Sequence, residues 1–402
     1  MNYVPLPVAM IELGQPLPVD VWDAGGKLLL RKGQPLLSEQ HREILQSHQA
    51  CLTQSDARAW QRSFERMIHT LLKAGADVDS IARACLPSEI LETDYEDGGE
   101  ALGGWLDLQE ILRGLLYQGA AAINPLHRLA GIERRALELL QSDADESLFI
   151  LFQALADNDL GYCATHALLS AVVCALTAQK LALPENTELA LFRSALVMNI
   201  GMARIQDRLA TQSTAPNEPQ RRLIREHPQK SIAILQQIGV MDEEQLDLVR
   251  GHHELDESGV PASQVQSRRL LHLADSFVAK MAARKTRLAM SALSAAKSLV
   301  LDAAQDTAKI GSAMATVLGF YPPGTYVQLV NGEKAVVAVR GPRANQPQVV
   351  SIVNPGGMPL SQYLYRDTAD PHFAVRAPLN AEKIKVKVSL EGVRKARRAH
   401  TA

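Results

Sequence analysis

Short runs with a period of two open the chain. Pro18 to Asp23 and Lys27 to Arg31 flank a Gly25-Gly26 step, a pattern that predicts a β-hairpin. At Ser38 the period lengthens: His41, Ile44 and Leu45 stand at helical spacing behind a serine suited to cap a helix N-terminus. Helical patterns continue over 57–75 and 77–86 until the Glu96-Asp97-Gly98-Gly99 cluster breaks the chain. Residues 1–56 therefore read as a small β-rich module and 57–120 as a helical connecting region. From 121 to 321 nearly every segment has helical periodicity, cut by turn signals into the pieces a helical bundle needs. Pro184 opens one helix, and Asn217 with Gln220 three positions later marks another N-terminus with Pro219 in its first turn. His227-Pro228 predicts a break, one helix ending and the next starting at the proline. After Tyr321-Pro322-Pro323-Gly324 the period returns to two. Thr325 to Val330 and Lys334 to Val339 flank Asn331-Gly332, a strong hairpin signal. Residues 322–402 thus form a β-rich extension, and its basic end, Arg394-Lys395-Ala396-Arg397-Arg398, reads as a solvated, frayed terminus. The fold class expected is mainly α.

Composition narrows the function. The 402 residues carry 42 Lys plus Arg and 44 Asp plus Glu, a net charge of −2, which argues against DNA as a partner through bulk electrostatics. Aromatic residues are only 4% of the chain, too few for a platform that stacks single-stranded bases. Four cysteines with no CxxC pair make neither a disulfide framework nor a thiolate zinc site. The longest apolar stretch, Ala167 to Leu183, is interrupted by Ser170, Thr177, Gln179 and Lys180, so no membrane span is expected. The N-terminus lacks the positive region of a secretory signal, which makes the cytoplasm the expected compartment.

Chemistry concentrates in the bundle. His166, His227, the adjacent His252-His253 pair and Asp275 are potential metal ligands on separate predicted helices. Singly, each has a structural reading, as a core histidine, a cap or a group complementing a helix dipole. Together, imidazoles and a carboxylate from several helices of one bundle are how transition-metal sites are assembled.

These residues carry a resemblance. GHHELDESGVP at 251–261 resembles the HHExxDGxGYP signature of HD-GYP domains, a branch of the HD superfamily of metal-dependent phosphohydrolases whose members cleave cyclic di-GMP. Four further elements follow the family's order: THALLSAVV at 165–173, REHPQKSIAIL at 225–235, LHLADSFVAKMAARKTR at 271–287 and FYPPGTYVQLVNGEKAVV at 320–337. The resemblance covers about residues 140–340 and implies an HD-type helical bundle at 121–321, with His166, His227, His252, His253 and Asp275 as metal ligands. It implies nucleotide contacts for Arg284, Arg287, Gly259 and Pro261.

The same comparison shows what is replaced. Where the family has its HD pair, this chain reads Met198-Asn199, and Met202 stands in place of the following lysine. In the family the aspartate bridges the metals, a charge a neutral amide cannot supply, and a thioether is a poor ligand for hard iron or manganese. Tyr162 stands one turn before His166, where many active members carry glutamate, while Val260, Val278 and Thr286 replace other family residues. No catalytic residue can therefore be assigned with the HD pair gone. The resemblance leaves two readings. One is a degenerate HD-GYP module in bacterial signalling that binds cyclic di-GMP or a related nucleotide and docks on a protein partner. The other is a metal-dependent cyclic di-GMP phosphodiesterase with a reduced site. The cofactor is one Fe, Mn or Zn ion, or none, and a homodimer is a plausible form for such a module.

Overall fold

The computed structural model describes residues 3–73, 77, 81, 84–91, 103–157, 160–253, 260–283, 285, 289–301 and 305–401. The chain divides into two units, 1–102 with 121–132 and 103–120 with 133–402. Both the small sheets at the ends and the helices between them follow the periodicity of the sequence.

In the first unit, strands β1 (Tyr3–Pro5), β2 (Val21–Trp22), β3 (Leu28–Leu30) and β4 (Cys51–Thr53) form an antiparallel sheet in the order β1-β4-β2-β3. The predicted hairpin is β2-β3, with Gly26 at φ +80 in its turn. Ser38 caps helix α1 (Glu39–Ser47) by accepting the His41 N–H at 3.2 Å. Helix α2 (Gln54–Lys73) follows β4 directly, and Leu17, Val21, Leu36, Leu52 and Trp60 are among the residues of the unit's apolar core. The helix expected at 77–86 lies largely outside the described residues.

The second unit holds the bundle. It contains α3 (Trp105–Gln118), most of α4 (Pro125–Ser142), α5 (Ala144–Leu155), α6 (Tyr162–Lys180), α7 (Glu185–Val197), α8 (Ala203–Thr211), α9 (Glu218–Gln237), α10 (Glu243–Gly251), α11 (Ala262–Met281), α12 (Ala292–Leu301) and α13 (Gln305–Leu318). Helix α6 is the axis: α3, α5, α7, α8, α11 and α13 all pack on it. By length and composition α6 could cross a membrane, but 89% of its apolar window is buried inside the bundle. Its apolar residues lie on every face because it has protein on every face.

Asn217 and Gln220 cap α9 reciprocally as predicted, but the break expected at Pro228 does not occur. Helix α9 runs through the proline. The bond that Pro228 cannot donate is the one to the Ile224 carbonyl four residues back, and the His227 ring takes that place, its Nδ1 lying 2.6 Å from Ile224 O.

Five antiparallel strands follow, β5 (Tyr326–Leu329), β6 (Lys334–Val339), β7 (Gln348–Val353), β8 (Pro359–Asp367) and β9 (Val375–Leu379), in the order β8-β7-β6-β5-β9. The Asn331-Gly332 turn joins β5 to β6 with Tyr326 opposite Val336, as the sequence predicts. The sheet's approach to the bundle depends on Gly324, at φ +89, where a Cβ would fall 2.6 Å from the Phe149 carbonyl oxygen. The basic end is not frayed. It forms helix α14 (Leu390–Thr401), with Val393 and Ala396 buried. Arg394 pairs with Glu146 and Arg397 with Asp143, carboxylates about 250 residues earlier that composition could not reveal.

Candidate metal centre

Two helices deliver three histidines to one point. His227 sits in the middle of α9, His252 is the C-cap of α10, and His253 follows it. Their ligand atoms all lie within 4.8 Å of one another, with His227 and His252 buried and His253 exposed. The ring centroids of His252 and His253 are 4.1 Å apart, and each lies 5.1 Å from that of His227.

The backbone fixes the ring faces. His227 Nδ1 is 2.6 Å from Ile224 O, and His252 Nδ1 is 2.7 Å from Val249 O. A carbonyl only accepts, so each Nδ1 carries the proton and each Nε2 of the neutral ring is a bare lone pair. Burial pushes the His227 imidazolium down to about 4 and, together with the neighbouring His253, that of His252 down to about 3. Both rings are therefore neutral near pH 7. Their Nε2 atoms face each other at 3.1 Å with no proton to share. A cation relieves that opposition of lone pairs, and this is the observation by which the residues fit a metal ion.

His166 and Asp275 are placed beside this cluster but are bonded to each other. His166 Nε2 lies 2.8 Å from Asp275 Oδ1, and the Tyr162 hydroxyl lies 2.9 Å from His166 Nδ1. Burial pushes the Asp275 carboxyl up, but the hydrogen bond from His166 and the fields of His166, His252 and His253 outweigh it. The carboxyl is held well below the usual carboxylate range. An ionised carboxylate accepts, so the proton in that bond sits on His166 Nε2. The start of α6, with Tyr162 in its first turn and His166 one turn later, is anchored by Asp207 on α8, whose Oδ1 accepts the Cys163 N–H at 2.6 Å.

Met198 and Asn199 close α7. Ser231, one turn beyond His227, donates its hydroxyl to the Met198 carbonyl at 2.8 Å and accepts the Gly201 N–H at 3.0 Å. The short 3₁₀ turn Ile200–Met202 is thereby clamped to the His227 stretch of α9, so closely that a Cβ on Gly201 would meet the His227 carbonyl oxygen at 2.8 Å. Asn199 is buried in this turn, and neither its Oδ1 nor its Nδ2 has a hydrogen-bond partner among the described residues. A buried amide left wholly unpaired is costly and points to a missing partner.

Pro261 is exposed at the start of α11. Gly259, Arg284 and Arg287 lie outside the described residues. Sequence reasoning overlooked His272, whose Nδ1 lies 2.8 Å from the His252 carbonyl oxygen. Its one signal was position, three residues before Asp275 on the same helix face.

Residues 150–308 match the family model of the HD domain. Among solved structures, an HDGYP protein from Bdellovibrio bacteriovorus aligns with 77% of this chain and 98% of its own, at 16% identity and a TM-score of 0.39. No curated protein matches the chain.

Proposed function

We propose, from the match of residues 150–308 to the family model of the HD domain, that the protein is a degenerate HD-GYP-type module of bacterial cyclic di-GMP signalling, one that binds a nucleotide and does not cleave it. Asn199 carries this reading. It stands where the family resemblance puts the bridging aspartate, and its amide is buried without a partner among the described residues. An amide offers oxygen but no charge. The carboxylate of Asp275 is engaged by His166, so the donor set suits one ion rather than two. His227, His252 and His253 would hold it, as Fe, Mn or Zn.

The ion would supply a positive charge toward which a phosphodiester oxygen is drawn. Among the described residues around it there is little base: Asp275 is held ionised and bonded to His166, which makes it a poor proton acceptor. Arg284 and Arg287 are proposed to grip phosphate as paired donors, with Gly259 and Pro261 shaping the nucleotide's approach. On this reading the partners are cyclic di-GMP or a related nucleotide and a signalling protein in the cytoplasm.

A second reading, a one-metal phosphodiesterase, is favoured by the three histidines themselves, since three imidazoles leave a coordination position open. The two readings part on one experiment. The purified protein, reconstituted anaerobically with Fe or Mn, is incubated with cyclic di-GMP beside a His252→Ala control, and the products are separated by chromatography. No product is expected. Linear dinucleotide or GMP from the parent alone would overturn the binding role and establish the enzyme.

A further inference from the structure

We propose that His272 is a positioning residue for the three-histidine centre, acting through the backbone carbonyl of His252. The inference deepens the reading above and rests on the part of it in which His227, His252 and His253 hold a metal ion.

The last carbonyls of a helix lack intrahelical donors. His252 is the C-cap of α10, and its carbonyl belongs to the peptide that joins His252 to His253. The orientation of that one peptide sets the relation between two of the three ligands. The donor that fixes it comes from another helix: His272 Nδ1 on α11 lies 2.8 Å from His252 O. Helix α11 is itself held by fully buried Leu270, Leu271 and Ala274 around His272 and by Phe277 a turn later. The bond therefore ties the ligand-bearing peptide to a rigid element, the same one that carries Asp275.

The ring makes a second contact. Its plane stands at 85° to that of His253, with centroids 6.1 Å apart. His253 is the exposed ligand of the three, with the most rotational freedom to lose, and an edge-to-face neighbour restricts it. His227 and His252 take their ring orientation from carbonyls on their own helices. The His252-His253 peptide has its donor from outside α10, from His272. Partners of this kind, one bond removed from the ligands, commonly alter metal affinity 10- to 100-fold, by order of magnitude.

The test uses the full-length, metal-stripped protein titrated with Zn²⁺ against a chromophoric chelator, alongside melting temperatures of the metal-free forms. His272→Leu removes the donor, and roughly a 10- to 100-fold loss of Zn²⁺ affinity is expected. His272→Asn places an amide N–H near the position of Nδ1 and should recover most of that loss. Recovery by an amide is something neither a ligand role nor ring packing would give. Unchanged affinity in His272→Leu overturns the proposal, as does His272→Asn being as weak as His272→Leu, which would make the other ring nitrogen the group that matters. Failure of the unsubstituted protein to bind Zn²⁺, Fe²⁺ or Mn²⁺ overturns the metal reading itself. That failure is recognised because it is seen before any substitution is made.

Discussion

His227 and Pro228 can be tested as a pair. In His227→Leu the Nδ1 proton leaves the Ile224 carbonyl, and Pro228 has no N–H to replace it. A buried acceptor without a donor costs about 1–3 kcal/mol, and because this bond is only part-buried the lower end, about 1–2 kcal/mol, applies. Pro228→Ala alone should be nearly neutral. It gains about 3 kcal/mol of helix propensity, loses two buried methylenes at about 0.8 kcal/mol each, and loses about 0.4–1 kcal/mol of restraint on the unfolded chain. In the double variant the backbone N–H gained at position 228 reaches the Ile224 carbonyl, so the orphan disappears. The two substitutions should therefore couple favourably by about 1–2 kcal/mol. At roughly 2–4 °C per kcal/mol for a large domain, the double variant melts about 2–8 °C above the sum of the singles. The measurement is a thermal or guanidinium cycle on metal-stripped protein, which keeps the loss of a metal ligand out of the comparison. Relief of the opposed Nε2 atoms enters the His227→Leu single and the double alike and drops out. Additivity within about 0.5 kcal/mol would refute the account of why α9 runs through its proline.

Three further outcomes follow from other contacts. Metal at about 100 times its dissociation constant should stabilise the protein by about 2.7 kcal/mol, a rise of several degrees in Tm that His252→Ala abolishes; an equal rise in both proteins would place the ion elsewhere. Glu333 is buried against Arg366, at 3.1 and 3.2 Å, and Ser351; burial pushes its carboxyl up, but these hydrogen bonds prevail and hold it below its ordinary value of 4.5. Its contribution, about 1–3 kcal/mol against Glu333→Gln, is thus complete above about pH 5 and fades as pH falls through the lowered value, so a gap unchanged near pH 2 counts against it. Gly324→Ala forces a Cβ against the Phe149 carbonyl at a positive φ and should cost about 2–4 kcal/mol in denaturant titration, whereas a loss below about 1 kcal/mol would mean that the sheet can shift.

What the sequence revealed was local. Asn331-Gly332 and the Asn217-Gln220 box each complete their hydrogen bonds within a few residues, so composition alone locates them. Pro228 failed by the same logic, because the rule that proline ends a helix assumes an unsatisfied carbonyl, and the preceding histidine supplies the missing donor. The basic end failed because its partners, Asp143 and Glu146, are distant in sequence. At the site, motif order singled out five residues without their division: the structure gathers His227, His252 and His253 and pairs His166 with Asp275. That His166 chooses Asp275 across 109 residues is a fact of helix packing between α6 and α11.

That division shapes what the centre can do. On the proposed reading the ion is held by three neutral imidazoles, so it keeps its full charge, where a carboxylate ligand would offset part of it. The ion's attraction for an anion, such as a phosphodiester oxygen, is correspondingly strong. Turnover needs more than attraction: it needs a group to take a proton from water. Asp275, the carboxylate beside the cluster among the described residues, is buried, ionised and already bonded to His166, and Asn199 cannot accept a proton at all. On the proposed reading, an amide in place of a carboxylate both leaves the ion's charge uncompensated and removes a means of using it for hydrolysis. Binding strengthened relative to cleavage is what a sensor requires, and Asn199→Asp should move the balance back, weakening anion retention while raising whatever cleavage of cyclic di-GMP the metal-loaded protein shows. A variant that retains nucleotide as tightly as the parent would show that the charge at this position does not set the balance.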